Sequence, residues 1–278
     1  MSETSFLPSH VLVTAPDVTP SRWMFVLHGI LGSGTNFRGF AKRVAAAVPS
    51  WGFVLPDLRM HGQSQGAPPP HTLASAADDL RRLADRLPSR PVGVMGHSFG
   101  GKVALAYAER EAPRLEQLWV LDASPSATTP EARVLRTSQV VRLLRAGPQP
   151  LATREQFFAI CADHGLDRGM AEWLAMNLRR ADDGFRLRLD LDAVDALLAD
   201  YFARDLWHVL EDPRYAVHAH VVVGGRSDAL TPDERARLAA RAAVDPRLEV
   251  ATLEGAGHWV HVDAPDALLD VVVAGLRA

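Results

Sequence analysis

The clearest candidate for a catalytic motif is Gly96-His97-Ser98-Phe99-Gly100. They follow a short, β-rich apolar run, Val92 to Met95, and precede a helical pattern that opens at Gly100. A serine on a sharp turn between strand and helix is raised above the sheet, and glycines two positions away on each side relieve the crowding. The helix N-terminus behind the serine also favours the negative charge that develops during attack. The motif predicts that Ser98 is a nucleophile, with a plain glycine-rich turn as the alternative.

A nucleophilic serine needs a general base and a carboxylate that orients the base. Of the 11 histidines, His258 is the best candidate, because small residues precede it in Gly255-Ala256-Gly257-His258-Trp259 after a predicted strand. Asp228 and Asp122 each follow a predicted strand and compete for the orienting role. We favour Asp228, because serine, aspartate and histidine would then have the chain order known for hydrolases built on parallel sheets. Asp122 is the alternative acid.

The oxyanion of an ester hydrolase must be held by backbone N–H donors. One donor is expected from Phe99, the residue after the predicted nucleophile. The second is expected from His28-Gly29-Ile30-Leu31-Gly32, a loop that follows a predicted strand. We assign it to Ile30, with Leu31 as the weaker choice.

Two glycine-rich segments imitate nucleotide-binding loops. Gly96 to Lys102 has the spacing of a phosphate-binding loop, but Val103 stands where a Ser or Thr would bind Mg²⁺. Gly32-Ser33-Gly34 begins a dinucleotide-binding fingerprint, but Phe37 replaces its third glycine. His261 lacks the further ligands that a metal pair with His258 would need, so we expect it either to support the catalytic residues from behind or to be structural. The sequence therefore predicts no cofactor and no metal ion.

Short apolar runs alternate with amphipathic helical patterns along most of the chain, which predicts an α/β fold with a mostly parallel sheet and helices on both faces. No repeat of fixed period is present, which excludes solenoids and propellers. The predicted strands are Met24 to Leu27, Phe53 to Leu55, Val92 to Met95, Leu118 to Leu121, His220 to Val223 and Leu248 to Thr252. The predicted helices are Asn36 to Ala47, Leu73 to Leu87, Gly100 to Glu111, Asp233 to Ala243 and Asp266 to Leu276.

Residues 124–213 interrupt this alternation with sequence that looks helical throughout. So long an insertion between two core strands is expected to form a helical cap over a core of residues 1–123 and 214–278. Its predicted helices are Pro130 to Arg145, Arg154 to His164, Arg168 to Arg180 and Leu191 to Val209. Its apolar residues either line a substrate pocket or pack on the core.

Composition excludes several classes of protein. Of 278 residues, 47% are hydrophobic and 23% are charged, as in an ordinary globular protein. A net charge of -3 offers no basic field for nucleic acid or for anionic membranes. The single cysteine permits no disulfide within the chain and favours a reducing compartment. Met1 to His10 resembles no signal peptide, and no apolar run could span a bilayer, so we expect a cytoplasmic protein without membrane contact.

Together, these motifs resemble the α/β-hydrolase superfamily over nearly the whole chain. The resemblance rests on the motifs around Ser98 and His258 and on His28-Gly29, Asp57 to Ser64 and Gly225-Arg226-Ser227-Asp228. Finer features, including Gly101-Lys102 after the serine motif and Asp122-Ala123-Ser124-Pro125, look like the compact esterase branch of abhydrolase-domain proteins. The resemblance implies a sheet of about eight strands, a helical cap, an acyl-enzyme on Ser98 and no cofactor. The residues before Arg22 are few for the family's first hairpin, so we expect that part of the sheet to be abbreviated.

The function hypothesis is a serine hydrolase that cleaves carboxylic esters with small to medium acyl groups. A carbon-carbon bond hydrolase, a lactonase, a thioesterase and a cofactor-free perhydrolase would use the same triad, and a non-catalytic receptor of hydrolase fold is the alternative outside enzymes. The partner expected is a small ester rather than a macromolecule, and the oligomeric state is left open. The candidate substrate-binding residues are His28, Phe157, Trp173 and Trp259.

Overall fold

The computed structural model describes residues 6–128, 136–215 and 217–277. Within these residues, seven strands form the main sheet and two more form a separate hairpin. The strands are β1 (His10–Val13), β2 (Arg22–Leu27), β3 (Trp51–Pro56), β4 (Gly93–His97), β5 (Gln117–Leu121), β6 (Leu178–Ala181), β7 (Gly184–Leu187), β8 (His218–Gly224) and β9 (Leu248–Leu253).

Helices connect the strands and extend from the sheet. They are α1 (Arg38–Ala47), α2 (Leu73–Ala84), α3 (Phe99–Glu111), α4 (Arg136–Ala146), α5 (Arg154–Asp163), α6 (Arg168–Ala175), α7 (Leu191–Ala203), α8 (Trp207–Glu211), α9 (Pro232–Ala242), α10 (Val260–Asp263) and α11 (Pro265–Arg277). Within the described ranges, no helix combines the length and the apolar character that crossing a membrane requires.

The main sheet has the order β1-β3-β2-β4-β5-β8-β9, in which β1 pairs antiparallel and the other strands pair in parallel. This confirms the predicted α/β fold with a mostly parallel sheet. The described part of the chain has seven strands in this sheet, in agreement with the expected sheet of about eight, and β1 alone precedes β2. In a parallel sheet the strand ends converge on one edge, so the loops after β2, β4, β5, β8 and β9 can meet there.

Apolar side chains fill both faces of the sheet because neighbouring residues of a buried strand point to opposite sides. Phe25 and Leu27 of β2 belong to the core beneath α2 and α3, whereas Met24 and Val26 belong to the core beneath α1 and α11. The strands that carry the loops of interest are thus fixed from both sides.

The insertion between β5 and β8 is mostly helical but contains one hairpin. The start expected for its first helix, Pro130, lies outside the described residues, and α4 is described from Arg136. The helix expected over Arg168 to Arg180 is corrected, because α6 ends at Ala175 and Leu178–Ala181 pairs with Gly184–Leu187. Gly184 permits the turn, with φ of 133°. The last predicted helix is divided into α7 and α8.

Candidate active site

Ser98 occupies a sharp turn between β4 and α3. Its φ of 55° is unusual for a residue with a side chain, and its N–H donates to the Leu121 carbonyl at 3.0 Å. A Cβ on Gly96 would lie 2.0 Å from the Gly100 carbonyl oxygen, and one on Gly100 would lie 2.5 Å from that of His28. Both positions therefore require glycine, as the serine motif predicts.

His258 links Ser98 to a carboxylate. Its Nε2 lies 3.0 Å from Ser98 Oγ, and its Nδ1 lies 2.7 Å from Asp122 Oδ2. Nδ1–H donates to the carboxylate, so Nε2 is the acceptor that faces the serine hydroxyl. This arrangement of nucleophile, base and carboxylate can transfer the serine proton to the imidazole.

Asp122 is fully buried and is held by several donors. It follows β5 with φ of 47°, and its own N–H donates to the Val222 carbonyl of β8. The Gly224 N–H donates to Oδ1 at 2.9 Å, and the Ser227 hydroxyl donates to Oδ2. These donors compensate for the loss of water around the charge.

The prediction that Asp228 contacts His258 is wrong, and the alternative, Asp122, occupies that position. Asp228 is exposed beyond the end of β8, in a turn that directs the Ser227 hydroxyl instead toward Asp122. The Ala229 N–H donates to the same hydroxyl at 3.1 Å, which stabilises this turn. Asp122 follows β5, and His258 lies in the loop after β9. The contact between them passes the end of β8, which lies between these two strands.

The two expected oxyanion donors lie near the serine. Phe99 is the first residue of α3, so its N–H has no partner four residues earlier in that helix. The Ile30 loop approaches the serine closely, since a Cβ on the adjacent Gly29 would lie 3.6 Å from Ser98 Cβ. The Asn177 side chain donates to the Leu31 carbonyl at 2.8 Å and anchors this loop to the insertion. The geometry is compatible with Phe99 and Ile30 as the two donors.

His28 was expected to bind substrate, but the structure gives it a structural position. It is fully buried, its Nδ1–H donates to the Gly29 carbonyl at 2.7 Å, and its Nε2 accepts the Leu58 N–H at 2.9 Å. Burial lowers its pKa to about 4, so the ring is neutral, as this bonding pattern requires. Because both nitrogens are occupied, His28 fixes the loop of Ile30 rather than contacting substrate.

Two further histidines surround His258. The His97 Nε2–H donates to the His258 carbonyl at 2.8 Å, and burial lowers the pKa of His97 well below its usual value. His261 stacks on Phe37 with ring centroids 4.3 Å apart, and burial lowers its pKa to about 4. Both rings are neutral and pack the loop of His258, which agrees with the structural role expected for His261.

The three remaining substrate-binding candidates differ in position. Trp173 lines a cavity of about 170 Å³ beside Leu31 and Gly32, and its ring lies 5.2 Å from that of Trp259. These two tryptophans therefore lie together next to the Ile30 loop. Phe157 is instead buried in the hydrophobic core of the insertion. Phe157 does not line this cavity, and its contact with substrate stays a prediction.

Lys102 is a residue of the site to which the sequence motifs assign no role. It connects α3 to two parts of the insertion. Its ammonium donates to the Ser126 carbonyl at 2.6 Å and to the Tyr201 carbonyl at 2.7 Å, and lies 4.6 Å from the Tyr201 ring centre. Burial lowers its pKa to about 8. The Gly101-Lys102 pair after the serine motif was the available signal.

In both glycine-rich segments that resemble nucleotide-binding loops, polar groups already have partners within the protein. The Gly34 N–H donates to the Asp57 carboxylate at 2.8 Å, so an anion of the protein already occupies that amide. Lys102 donates to carbonyls of the insertion, and Gly100 packs against the His28 backbone.

Comparison with known proteins adds three findings. Residues 22–265 match a family described as having the alpha/beta hydrolase fold. The chain is 29% identical to the sn-1-specific diacylglycerol lipase ABHD11 of Mus musculus over 90% of this chain and 79% of that protein, and 26% identical to the esterase YbfF of Escherichia coli strain K12 over 89% and 90%. A solved marine microorganism esterase matches with a TM-score of 0.83 at 22% identity, covering 97% of this chain and 99% of that chain.

Proposed function

The chain belongs to the α/β-hydrolase fold family, and from this we propose that it is a serine esterase in which Ser98, His258 and Asp122 form the catalytic triad. Relatives named as an esterase and as diacylglycerol lipases, with esterases among the solved structures of the same fold, make the chain an ester hydrolase. The observation that carries the proposed triad is the continuous contact from Ser98 Oγ through His258 to Asp122, at 3.0 and 2.7 Å.

In the proposed acylation step, Ser98 Oγ attacks the ester carbonyl while His258 Nε2 accepts its proton. Asp122 stabilises the imidazolium that forms, and the N–H groups of Phe99 and Ile30 hold the oxyanion. His258 then gives the proton to the departing alcohol, which leaves an acyl group on Ser98. A water molecule, activated by the same histidine, releases the acid and restores the serine.

Residues 124–213 act as a cap over this site in our proposal. Lys102 and Asn177 connect the core to the insertion on two sides, at Ser126 and Tyr201 and at Leu31. The cavity beside the Ile30 loop, at about 170 Å³, is smaller than the roughly 300 to 1,000 Å³ typical of sites for drug-sized ligands. Neither the triad residues nor Trp259 line this cavity, so its volume does not set the acyl length. We propose esters with small to medium acyl groups, with the neighbouring rings of Trp173 and Trp259 as the apolar contacts.

The cellular location remains a proposal as well. Cys161 is the single cysteine, and it is buried and free. A single cysteine that forms no disulfide within the chain fits a reducing compartment. We propose the cytoplasm, with a small-molecule ester as the partner.

Hydrolysis of p-nitrophenyl esters of increasing acyl length tests the function. We expect turnover of the short and medium esters, and a loss on the order of 10⁴-fold in Ser98→Ala with an unchanged circular dichroism spectrum. Turnover confined to thioesters, lactones or carbon-carbon bonded substrates would reassign the reaction while keeping the triad. Near-normal ester hydrolysis by Ser98→Ala would refute the mechanism, and ligand binding without any turnover would favour a receptor.

A further inference from the structure

Three side chains of metal-ligand type lie together far from the triad. They are His218 and His220 of β8 and Glu249 of β9. β8 starts at His218 and ends at Gly224, whose N–H binds the Asp122 carboxylate. At about 3.3 Å per residue, His218 lies about 20 Å along the strand from that end. The group therefore lies at the opposite end of these strands from the candidate active site.

The strand register brings the three side chains to one face. His218 and His220 are two residues apart, so they point to the same side of β8. Glu249 is the direct register partner of His220 in the parallel pair of β8 and β9. One potential ligand atom from each side chain lies within 4.8 Å of the others. No other such trio of His, Cys, Asp or Glu residues occurs in the described ranges.

His220 is fixed before any ligand binds. Its ring stacks on Trp119 with centroids 3.8 Å apart and planes 8° apart. α11 covers the pair so closely that a Cβ on Gly275 would lie 2.8 Å from His220 Cε1. His218 and Glu249 are exposed, so their side chains can adjust to a bound ion.

The distance between His220 and Glu249 suits a shared ion better than a hydrogen bond. Nδ1 and Oε2 are 3.5 Å apart, whereas a charged hydrogen bond from nitrogen to carboxylate is usually about 2.7 to 2.9 Å. Two ligand atoms of one tetrahedral zinc ion, each about 2.0 to 2.2 Å from the metal, are roughly 3.3 Å apart. The three ligand atoms lie within 4.8 Å of one another, so the exposed His218 and Glu249 would have to move closer together around an ion.

The chemistry of His220 also fits a ligand. The ring is 3% exposed, and its Nε2 has no hydrogen-bond partner in the part of the chain that the structure describes. This unpaired Nε2 is not the nitrogen that faces Glu249; Nδ1 faces it and would be the ligand atom, and an imidazole nitrogen is an ordinary ligand of zinc.

We propose that His218, His220 and Glu249 bind one divalent transition-metal ion, with zinc as the reference ion. Two imidazoles and a carboxylate are ligands that zinc accepts, and water would complete its coordination. The ion would join the edge strand β9 to β8 beneath the end of α11. Its effect would be on stability, because the triad lies at the other end of these strands. Sequence analysis predicted no metal, since Glu249 lies 29 residues after His220 and only strand pairing brings them together.

Zinc titration by calorimetry tests the site, using the full chain without a histidine tag after chelator treatment and dialysis. We expect one ion per chain, and a dissociation constant at least about 10-fold larger in His218→Ala and in Glu249→Gln than in the wild type. His10→Ala is the matched control, because His10 is an exposed histidine on β1, the opposite edge strand, and should bind zinc as the wild type does. His220 is kept, since replacing it would disturb the packing of Trp119.

Thermal unfolding supplies a second readout. Zinc should raise the Tm of the wild type and of His10→Ala, and should raise it much less for the two ligand variants, because an ion that binds only the folded chain stabilises it by mass action. Absence of zinc binding in the wild type would overturn the proposal. So would undiminished binding in both ligand variants, which would place the ion elsewhere, for example at the histidines around Ser98.

Discussion

Asp122 Oδ2 lies 2.7 Å from His258 Nδ1, although 136 residues separate the two in the chain. The contact joins the end of β5 to the loop after β9, with the end of β8 between them. Asp122 is buried and accepts additional bonds from Gly224 and Ser227. The carboxylate that would orient the base is therefore held by the neighbouring strand rather than by its own loop.

Replacing Asp122 by Asn should lower kcat on the order of 10² to 10⁴-fold, because the histidine loses both its fixed tautomer and the counter-charge for its imidazolium. Asn accepts the positive φ of this position, so the variant should fold. Asp228→Asn is the matched control, since Asp228 is exposed, and should retain near wild-type kcat. A larger loss in Asp228→Asn than in Asp122→Asn would return the role to Asp228.

Ser227 acts through Asp122 and should be a positioning residue. Ser227→Ala removes one donor from the buried carboxylate, and we expect kcat to fall about 2- to 10-fold, which is the range of a single hydrogen bond. Ser227→Thr keeps the hydroxyl and should recover most of the activity. Ser21→Ala, at an exposed serine, is the control. Equal kcat values for Ser227→Ala and wild type would show that Gly224 and His258 suffice to hold Asp122.

Stability should decrease as pH falls from 6.5 toward 4. Burial lowers the pKa of His28 to about 4, of His61 to about 3 and of His261 to about 4, whereas the unfolded chain binds these protons near pH 6.5. The unfolded state therefore holds more protons in this window, so the free energy of unfolding drops with acid. A shift of this size is worth roughly 3 kcal/mol for one such histidine.

His261→Phe isolates one of these contributions. Phenylalanine can stack on Phe37 in the same way, and Nδ1 of His261 has no hydrogen-bond partner to lose in the described structure. Urea unfolding between pH 4 and 7 should show a shallower dependence of stability on pH than in the wild type. His10→Gln, at an exposed histidine, should leave the dependence unchanged. If His261→Phe keeps the wild-type slope, His261 titrates normally in the folded protein.

Gly96→Ala should destabilise the fold and reduce activity together. The new methyl group would lie 2.0 Å from the Gly100 carbonyl, which the turn at Ser98 cannot move without losing its geometry. We expect a loss of about 1 to 3 kcal/mol or more in the free energy of unfolding. Gly39→Ala is the control, because Gly39 is exposed in α1 and an added Cβ would meet no atom within 4 Å outside its own helix backbone. This variant should gain up to about 1 kcal/mol in the free energy of unfolding. A Gly96→Ala protein as stable as Gly39→Ala would contradict the tight turn.

The sequence by itself determined the features that are local in the chain. Alternating apolar runs and helical patterns indicated the parallel sheet, and the glycine spacing around Ser98 indicated the turn that now shows φ of 55°. His258 was recognisable because it follows a strand within a run of small residues. Each of these signals depends on neighbours within a few positions, because the steric preferences of the backbone link residue type to local structure.

Tertiary structure decided which side chains meet. Asp122 and Asp228 both follow strands, and only the turn after β8, which directs Ser227 inward and leaves Asp228 exposed, separated them. Phe157 and Trp173 have similar spacing on helices, yet one is buried in the core and the other lines a cavity. Strand pairing alone brought Glu249 beside His220. Long-range contacts depend on strand order and loop conformation, and residue spacing along the chain does not predict either of these.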